Sequence, residues 1–237
     1  IKCNSGFEKA SLIKNHLGIS NNDGWEVLPY NLLVEGEEDK KYIESLMACM
    51  SISPPNIVWA GGASKIGGYL QYYDNFSRDL AYKPKFVCVF DNDDEGRDQA
   101  KRISNSYKYI DAKIVPLPRF DGLVQPVSKN QDWEIEDFLT PSIVIDSINE
   151  ILKKDKYGII KKQQVTNRGL VANKDKQILK YAEECTSQNN PDKPRFVLDD
   201  QGRKMQICHI LSRKILDMNP KDFLSDAQVD FIKSLAE

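Results

Sequence analysis

Apolar and polar positions change their period along this chain, and from Tyr30 onward the changes are regular. Short apolar runs at 30–34, 56–60, 85–90 and 112–117 fit strands, and between them apolar residues recur at helical spacing over 38–50, 64–80 and 94–107. Strands alternating with helices imply right-handed crossovers and a mainly parallel sheet flanked by helices on both faces. The expected fold class is therefore α/β. After Pro116 and Pro118 the regularity stops. Residues 119–132 read as a loop, and helical patterns follow at about 141–153, 172–187, 203–218 and 225–236, with a turn-rich break at Asn189–Pro194 and an extended segment at Arg195–Leu198. Residues 1–29 offer only an amphipathic stretch around Leu12, Ile13 and Leu17, then a polar loop. The expected organisation is a lead-in over 1–29, a sheet domain over 30–140 and a helical, partly basic C-terminal annex over 141–237.

In sheets of this kind ligands gather beyond the carboxyl ends of the strands, and there the chain concentrates acid. Tyr30–Val34 runs into Glu35-Gly36-Glu37-Glu38-Asp39, and Phe86–Phe90 runs into Asp91-Asn92-Asp93-Asp94-Glu95-Gly96. The helix macrodipole accounts for Glu37, Glu38, Asp94 and Glu95, which fall in first turns. It does not account for Glu35, Asp91 and Asp93 together. Hard divalent cations take oxygen ligands, so these three are candidate ligands of Mg²⁺ or Mn²⁺, and Asp39, one helical turn past Glu35, is a candidate for a second metal position. Two other motif readings fail. Asp91-x-Asp93-x-Glu95-Gly96 fits the opening of an EF-hand loop, but the twelfth position is Arg102 and a strand precedes it. Gly62–Gly68 looks like a phosphate loop, but Gly68 stands where the Walker lysine must be.

Val34-Glu35-Gly36 with Asp39, Gly61-Gly62 after the second strand, and Asp91-x-Asp93-x-x-Gly96 after the third together resemble the Toprim domain of topoisomerases, DnaG-type primases and several nucleases. The resemblance spans roughly residues 30–140 and is greatest to nucleases of the overcoming-lysogenization-defect (OLD) type. It implies a metal-dependent endonuclease acting on DNA, with RNA as the alternative substrate, in which Glu35 is a metal ligand or general base and Asp91 and Asp93 are metal ligands. It also implies an acidic motif, for which Glu134, Glu136 and Asp137 stand in the right place. Glu136 is preferred because Ile135, Phe138 and Leu139 would face the core while it points elsewhere. A lysine before a returning helix belongs to the same pattern, and Gly202-Arg203-Lys204 matches it, with Lys204 as the catalytic candidate. OLD-type nucleases work with an ABC-type ATPase. A chain without a Walker lysine that begins at Ile1 is expected to have that module upstream or on a partner chain, in an anti-phage defence assembly. A primase-like nucleotidyl transferase on the same site, or a catalytically idle Toprim scaffold, is the competing expectation.

Composition modifies this picture in two places. The formal charge of -2 conceals segregation, since residues 151–180 carry nine cations against Asp155 and Asp175. Lys153, Lys154, Lys161 and Lys162 in that stretch are candidate phosphate-backbone contacts, with a solvated helix face as the alternative. The five cysteines (Cys3, Cys49, Cys88, Cys185, Cys208) form no C-x-x-C pair and read as reduced packing residues of a cytoplasmic protein. No apolar stretch approaches the length needed to span a bilayer. Tyr69, Tyr72 and Tyr73 read as helix packing residues, not as a topoisomerase nucleophile. Self-association stays open.

Overall fold

The computed structural model describes residues 28–116, 132–164 and 177–237. Four strands, β1 (Tyr30–Val34), β2 (Asn56–Trp59), β3 (Lys85–Phe90) and β4 (Asp111–Pro116), form one sheet in the order β2-β1-β3-β4, and every pairing is parallel. The helices are α1 (Glu37–Cys49), α2 (Ala63–Phe76), α3 (Asp94–Arg102), α4 (Pro141–Lys154), α5 (Ile178–Asn189), α6 (Gln201–Leu216) and α7 (Asp226–Ser234). None among the described residues is long and apolar enough to cross a membrane.

The inner strands are apolar on both sides because both sides are covered. Leu32, Val34, Ile57, Val87 and Val89 face one core, and Leu33, Val58, Phe86, Cys88 and Phe90 face the other, the two-residue alternation of a pleated strand. The second core is filled from α2, where Tyr73 is buried and stacks on Phe86 with ring centroids 4.9 Å apart. The first core continues without a break through Tyr42, Leu46 and Met47 of α1 into Ile148, Leu152, Ile207, Leu211 and Ile232. The C-terminal helices therefore have no separate core; they complete the cover of the sheet's α1 side. Cys49, Cys88, Cys185 and Cys208 are free thiols, three of them buried.

Two helices end sooner than the apolar spacing suggests. α2 stops at Phe76 and passes into a 3₁₀ turn, Ser77–Asp79. α3 stops at Arg102 because Ile103 turns extended, and the following loop is drawn back to α2, where the Asp74 carboxylate accepts the Tyr109 and Ile110 N–H groups at 2.6 and 3.2 Å. The expected loop 119–132 and the start of the expected helix at 172 lie almost wholly outside the described residues. So do Leu12, Ile13 and Leu17 of the lead-in. Arg195–Leu198 runs without strand pairing. It is held by Glu183 of α5, which pairs with Arg195 at 2.7 Å and accepts the N–H groups of Leu198 and Asp199 at 2.7 and 3.1 Å.

Gly96 has a steric reason that its sequence context only hints at. A Cβ there would sit 2.2 Å from the Asp91 carbonyl oxygen, a backbone atom that cannot step aside without moving the tip of β3. Gly68, inside α2, has nothing within 4 Å of the same added atom. Gly96→Ala is expected to destabilise the fold by about 1–3 kcal/mol. Gly68→Ala should stabilise it by roughly 0.5–1 kcal/mol through helix propensity. Urea unfolding of the two variants checks both signs.

Candidate metal centre

Parallel pairing of β1 with β3 sets Leu33 opposite Cys88, so the two strands leave the sheet side by side. Glu35 then reaches across, and its Oε1 accepts the Asp91 N–H at 2.7 Å. On the other flank the Glu35 carbonyl accepts the N–H groups of both Gly61 and Gly62, at 2.8 and 2.9 Å. Gly61 and Gly62 have φ of +80° and +124°, a backbone conformation in which a side chain is strained. Thus one residue, Glu35, joins the tips of three strands.

A further connection brings in the second acidic segment. Asn92 and Trp133 exchange backbone hydrogen bonds, each 3.0 Å, in an isolated antiparallel bridge. Arg97 locks the same junction, donating to the Asn92 carbonyl at 2.6 Å and pairing with Asp94 and Asp132 at 2.6 and 3.0 Å. Glu134 and Glu136 are thereby carried to the mouth of the sheet. From the opposite side Asp200 caps α6, accepting the Arg203 N–H at 2.9 Å, and Lys204 enters with ion pairs to Glu134 and Asp199 at 2.8 and 2.9 Å.

The result is a pocket of about 380 Å³ whose lining includes Glu35, Asp39, Asp91, Glu134, Glu136 and Lys204. Of the acids proposed as ligands, Glu35, Asp39, Asp91 and Glu136 meet there. Asp93 does not line it: its side chain caps α3, accepting the Gly96 N–H at 2.6 Å. Asp39 combines pocket and helix duties, since its Oδ2 accepts the Gly36 N–H at 2.8 Å at the start of α1. Within the Glu134–Asp137 cluster the three acids divide. Glu134 is paired with Lys204, and Asp137 is tied down by the N–H groups of Ile178 and Glu134 at 2.7 and 3.1 Å. Glu136 is 2% exposed and keeps one oxygen, Oε1, without a hydrogen-bond partner among the described residues. Ile135, Phe138 and Leu139 are buried as their spacing suggests, but Glu136 is buried too, toward the pocket and not toward bulk water.

Burial and mutual repulsion set the electrostatics. Burial raises Glu35 to about 7, with Asp39, Asp93 and Glu95 adding to it against the opposing Asp91 N–H bond. Asp39 is raised to about 6, chiefly by burial. Glu136 is raised to about 8 by burial, although Lys204 pulls it down. Asp91 lies well above the carboxylate range through burial and then the charges of Asp39, Glu35, Glu136 and Glu134. Burial opposes the charge on Lys204, but Glu136 and Glu134 hold its ammonium protonated.

Oxygen-only donors, an orphaned buried carboxylate oxygen and charge repulsion awaiting a counter-ion fit a hard divalent cation. Among the described residues, however, no three Asp, Glu, His or Cys side chains are grouped so as to hold an ion as they stand. The acids line the walls of one cavity instead of closing on one point. The candidate backbone contacts Lys153, Lys154, Lys161 and Lys162 are exposed and lie outside this pocket. Lys153 and Lys162 flank a second cavity of about 510 Å³ with Asp146, Glu150 and Lys214. Arg168, Lys174 and Lys176 of the basic stretch fall outside the described residues. Glu134, which belongs to the acidic cluster that the resemblance implies, also lines the pocket, as do Asp199 and Trp59, which no sequence motif marks as site residues. Compared with protein-family models, with curated proteins and with solved structures, the chain has no match.

The raised carboxyl groups fix the sign of a pH effect. Each binds its proton in the folded chain at a pH where the unfolded chain has released it, so stability falls as pH rises from about 4 to about 8. A bound cation removes that penalty. Melting temperature in EDTA is expected to drop between pH 5 and pH 8, and Mn²⁺ to raise it more at pH 8 than at pH 5. Differential scanning fluorimetry across that range tests both, and an Mn²⁺ effect independent of pH would count against the acids as ligands.

Proposed function

We propose that the chain is the catalytic part of a metal-dependent nuclease that hydrolyses phosphodiester bonds, DNA before RNA, at the pocket formed by Glu35, Asp39, Asp91, Glu136 and Lys204. The observation that carries the reading is the convergence of acids from two strand tips and the 134–136 segment on one cavity, with a lysine entering from a fourth element. The Toprim-like order of Glu35, Gly61-Gly62 and Asp91 to Gly96 supports it.

A Mg²⁺ or Mn²⁺ held by Asp91 and Glu136 would supply Lewis acidity toward a water and toward the phosphate oxygens. The chain's residues do the rest. Glu35, with a pKa near 7, is suited to accept the proton of an attacking water and release it again. Asp91 and Glu136 hold cation charge in the pocket, while Asp39 keeps the start of α1 against it. Lys204 remains cationic and donates toward the oxygen on which charge develops. Asp93 supports the site through the cap of α3. The exposed Lys153, Lys154, Lys161 and Lys162 contribute electrostatic attraction for a phosphate backbone. An ATPase module upstream or on another chain, and a role in anti-phage defence, extend the same proposal.

Incubation with plasmid and with oligonucleotides in Mg²⁺, Mn²⁺ or EDTA tests the activity. Asp91→Asn and Glu35→Gln should each lower cleavage at least a hundredfold without lowering the melting temperature. Lys204→Ala should lower kcat with little change in affinity. Wild-type rates in either carboxylate variant would refute the assignment. Replacing the four lysines together by glutamine should weaken duplex binding and reduce the log-log salt slope by about 0.9 for each phosphate that the protein no longer neutralises. An unchanged slope would return them to a solvated face.

A further inference from the structure

Trp59 is the last residue of β2, an edge strand of the sheet. Its neighbours Ile57 and Val58 are buried in the two cores, but the indole is 41% exposed and belongs to neither core. It lines the acidic pocket beside Gly61 and Gly62. A methyl group added at Gly61 would meet the Trp59 ring at 3.6 Å and Lys65 Nζ at 3.3 Å, so the indole and the ammonium border the same glycine turn. Lys65 is exposed and makes no ion pair among the described residues. The start of α2 there has no acidic residue in its first turn and no side-chain cap, in contrast with the acid-rich start of α1. Glu136, with its orphaned oxygen, lines the same cavity.

The pocket lining thus combines acids with an exposed indole, and the Lys65 ammonium stands beside it at the same glycine turn. That combination matches the parts of a nucleotide. A phosphate is held by a cation, and a base is held by the face of an aromatic ring. We propose that Trp59 is a stacking platform for an unpaired base next to the scissile phosphate, with Lys65 on the adjoining phosphate, so that the substrate is single-stranded or locally unpaired nucleic acid. A base in a duplex has both faces covered by its neighbours and offers none to Trp59. The proposal rests on the nuclease reading of the pocket, and its test separates the two.

The protein is compared with Trp59→Ala, Trp59→Phe and Lys65→Gln on a short oligothymidylate and on a blunt duplex, in Mn²⁺ for cleavage and in EDTA for binding. Trp59→Ala should raise KM for the single strand about tenfold, leave kcat within about twofold, and change duplex cleavage by less than about twofold; Trp59→Phe should recover most of the loss. Lys65→Gln should raise KM for the single strand to a smaller extent and flatten its salt dependence. In EDTA, oligothymidylate should quench tryptophan emission of the wild type, and Trp59→Phe should lose most of that quenching. Equal melting temperatures establish that the variants are folded. Cleavage with no dependence on Trp59 overturns the stacking inference and leaves the nuclease standing. Quenching that depends on Trp59 without cleavage supports the inference and overturns the nuclease. Failure to bind the oligonucleotide at all overturns both.

Discussion

The pairing of β1 with β3 is the constraint on which the site depends. Because the register puts Leu33 beside Cys88, Glu35 and Asp91 emerge together, and the Glu35 carboxylate is fixed by the Asp91 N–H. A shift of one residue in either strand would send alternate side chains to the opposite core. The two apolar clusters therefore enforce the acid geometry at the strand tips, and the packing of Leu32, Leu33, Val87 and Cys88 is as much a part of the pocket as its lining. Gly96 shows the same dependence from the helix side, since only a residue without a Cβ can pass the Asp91 carbonyl.

Such a concentration of acid has a cost, and its size matters. Keeping Glu136 ionised against a pKa near 8 costs on the order of 5 kcal/mol, comparable with the whole stability of many domains. That value already includes the pull of Lys204, the internal cation, and two side chains hold the segment that carries it. Glu183 organises the extended chain from Arg195 to Asp199, and Asp200 begins α6. The remaining repulsion is what a divalent ion would relieve. A pocket stabilised by hydrophobic packing elsewhere, and destabilised by its own charges, is poised for a cation without being closed around one.

Much of this was legible in the sequence, for physical reasons. The strand at 30–34 and the strand at 85–90 are continuous apolar runs because the sheet is covered twice, and the acids that follow them stand out for lacking a core role. Asp39 and Asp91 reach the pocket from the ends of apolar runs, and Glu136 was singled out by the resemblance together with the apolar residues around it. The rest depends on contacts distant in sequence. Nothing local announces that Asn92 pairs with Trp133, that Glu134 takes up Lys204, or that Glu183 straightens residues 195–199. Asp93, placed among the ligands by its spacing and by the resemblance, caps α3 and does not line the pocket, a choice that only the bend after Phe90 decides. The ends of α2 and α3 were similarly hidden, since Asp74 draws the later loop back by a tertiary hydrogen bond that propensity does not encode. Trp59 carried no motif at all; it becomes informative only beside Gly61 and the acids.

The central claim is that the acidic pocket binds a hard divalent cation, and isothermal titration calorimetry with Mn²⁺ in buffers of different ionisation enthalpy tests it most directly. Carboxyl groups with pKa values near 6 to 8 must release protons on taking up an ion at pH 6.5. Saturable binding is expected, with a net proton release that diminishes toward pH 9, and loss of binding in Asp91→Asn. Binding without proton release, or binding unaltered by Asp91→Asn, would contradict the account.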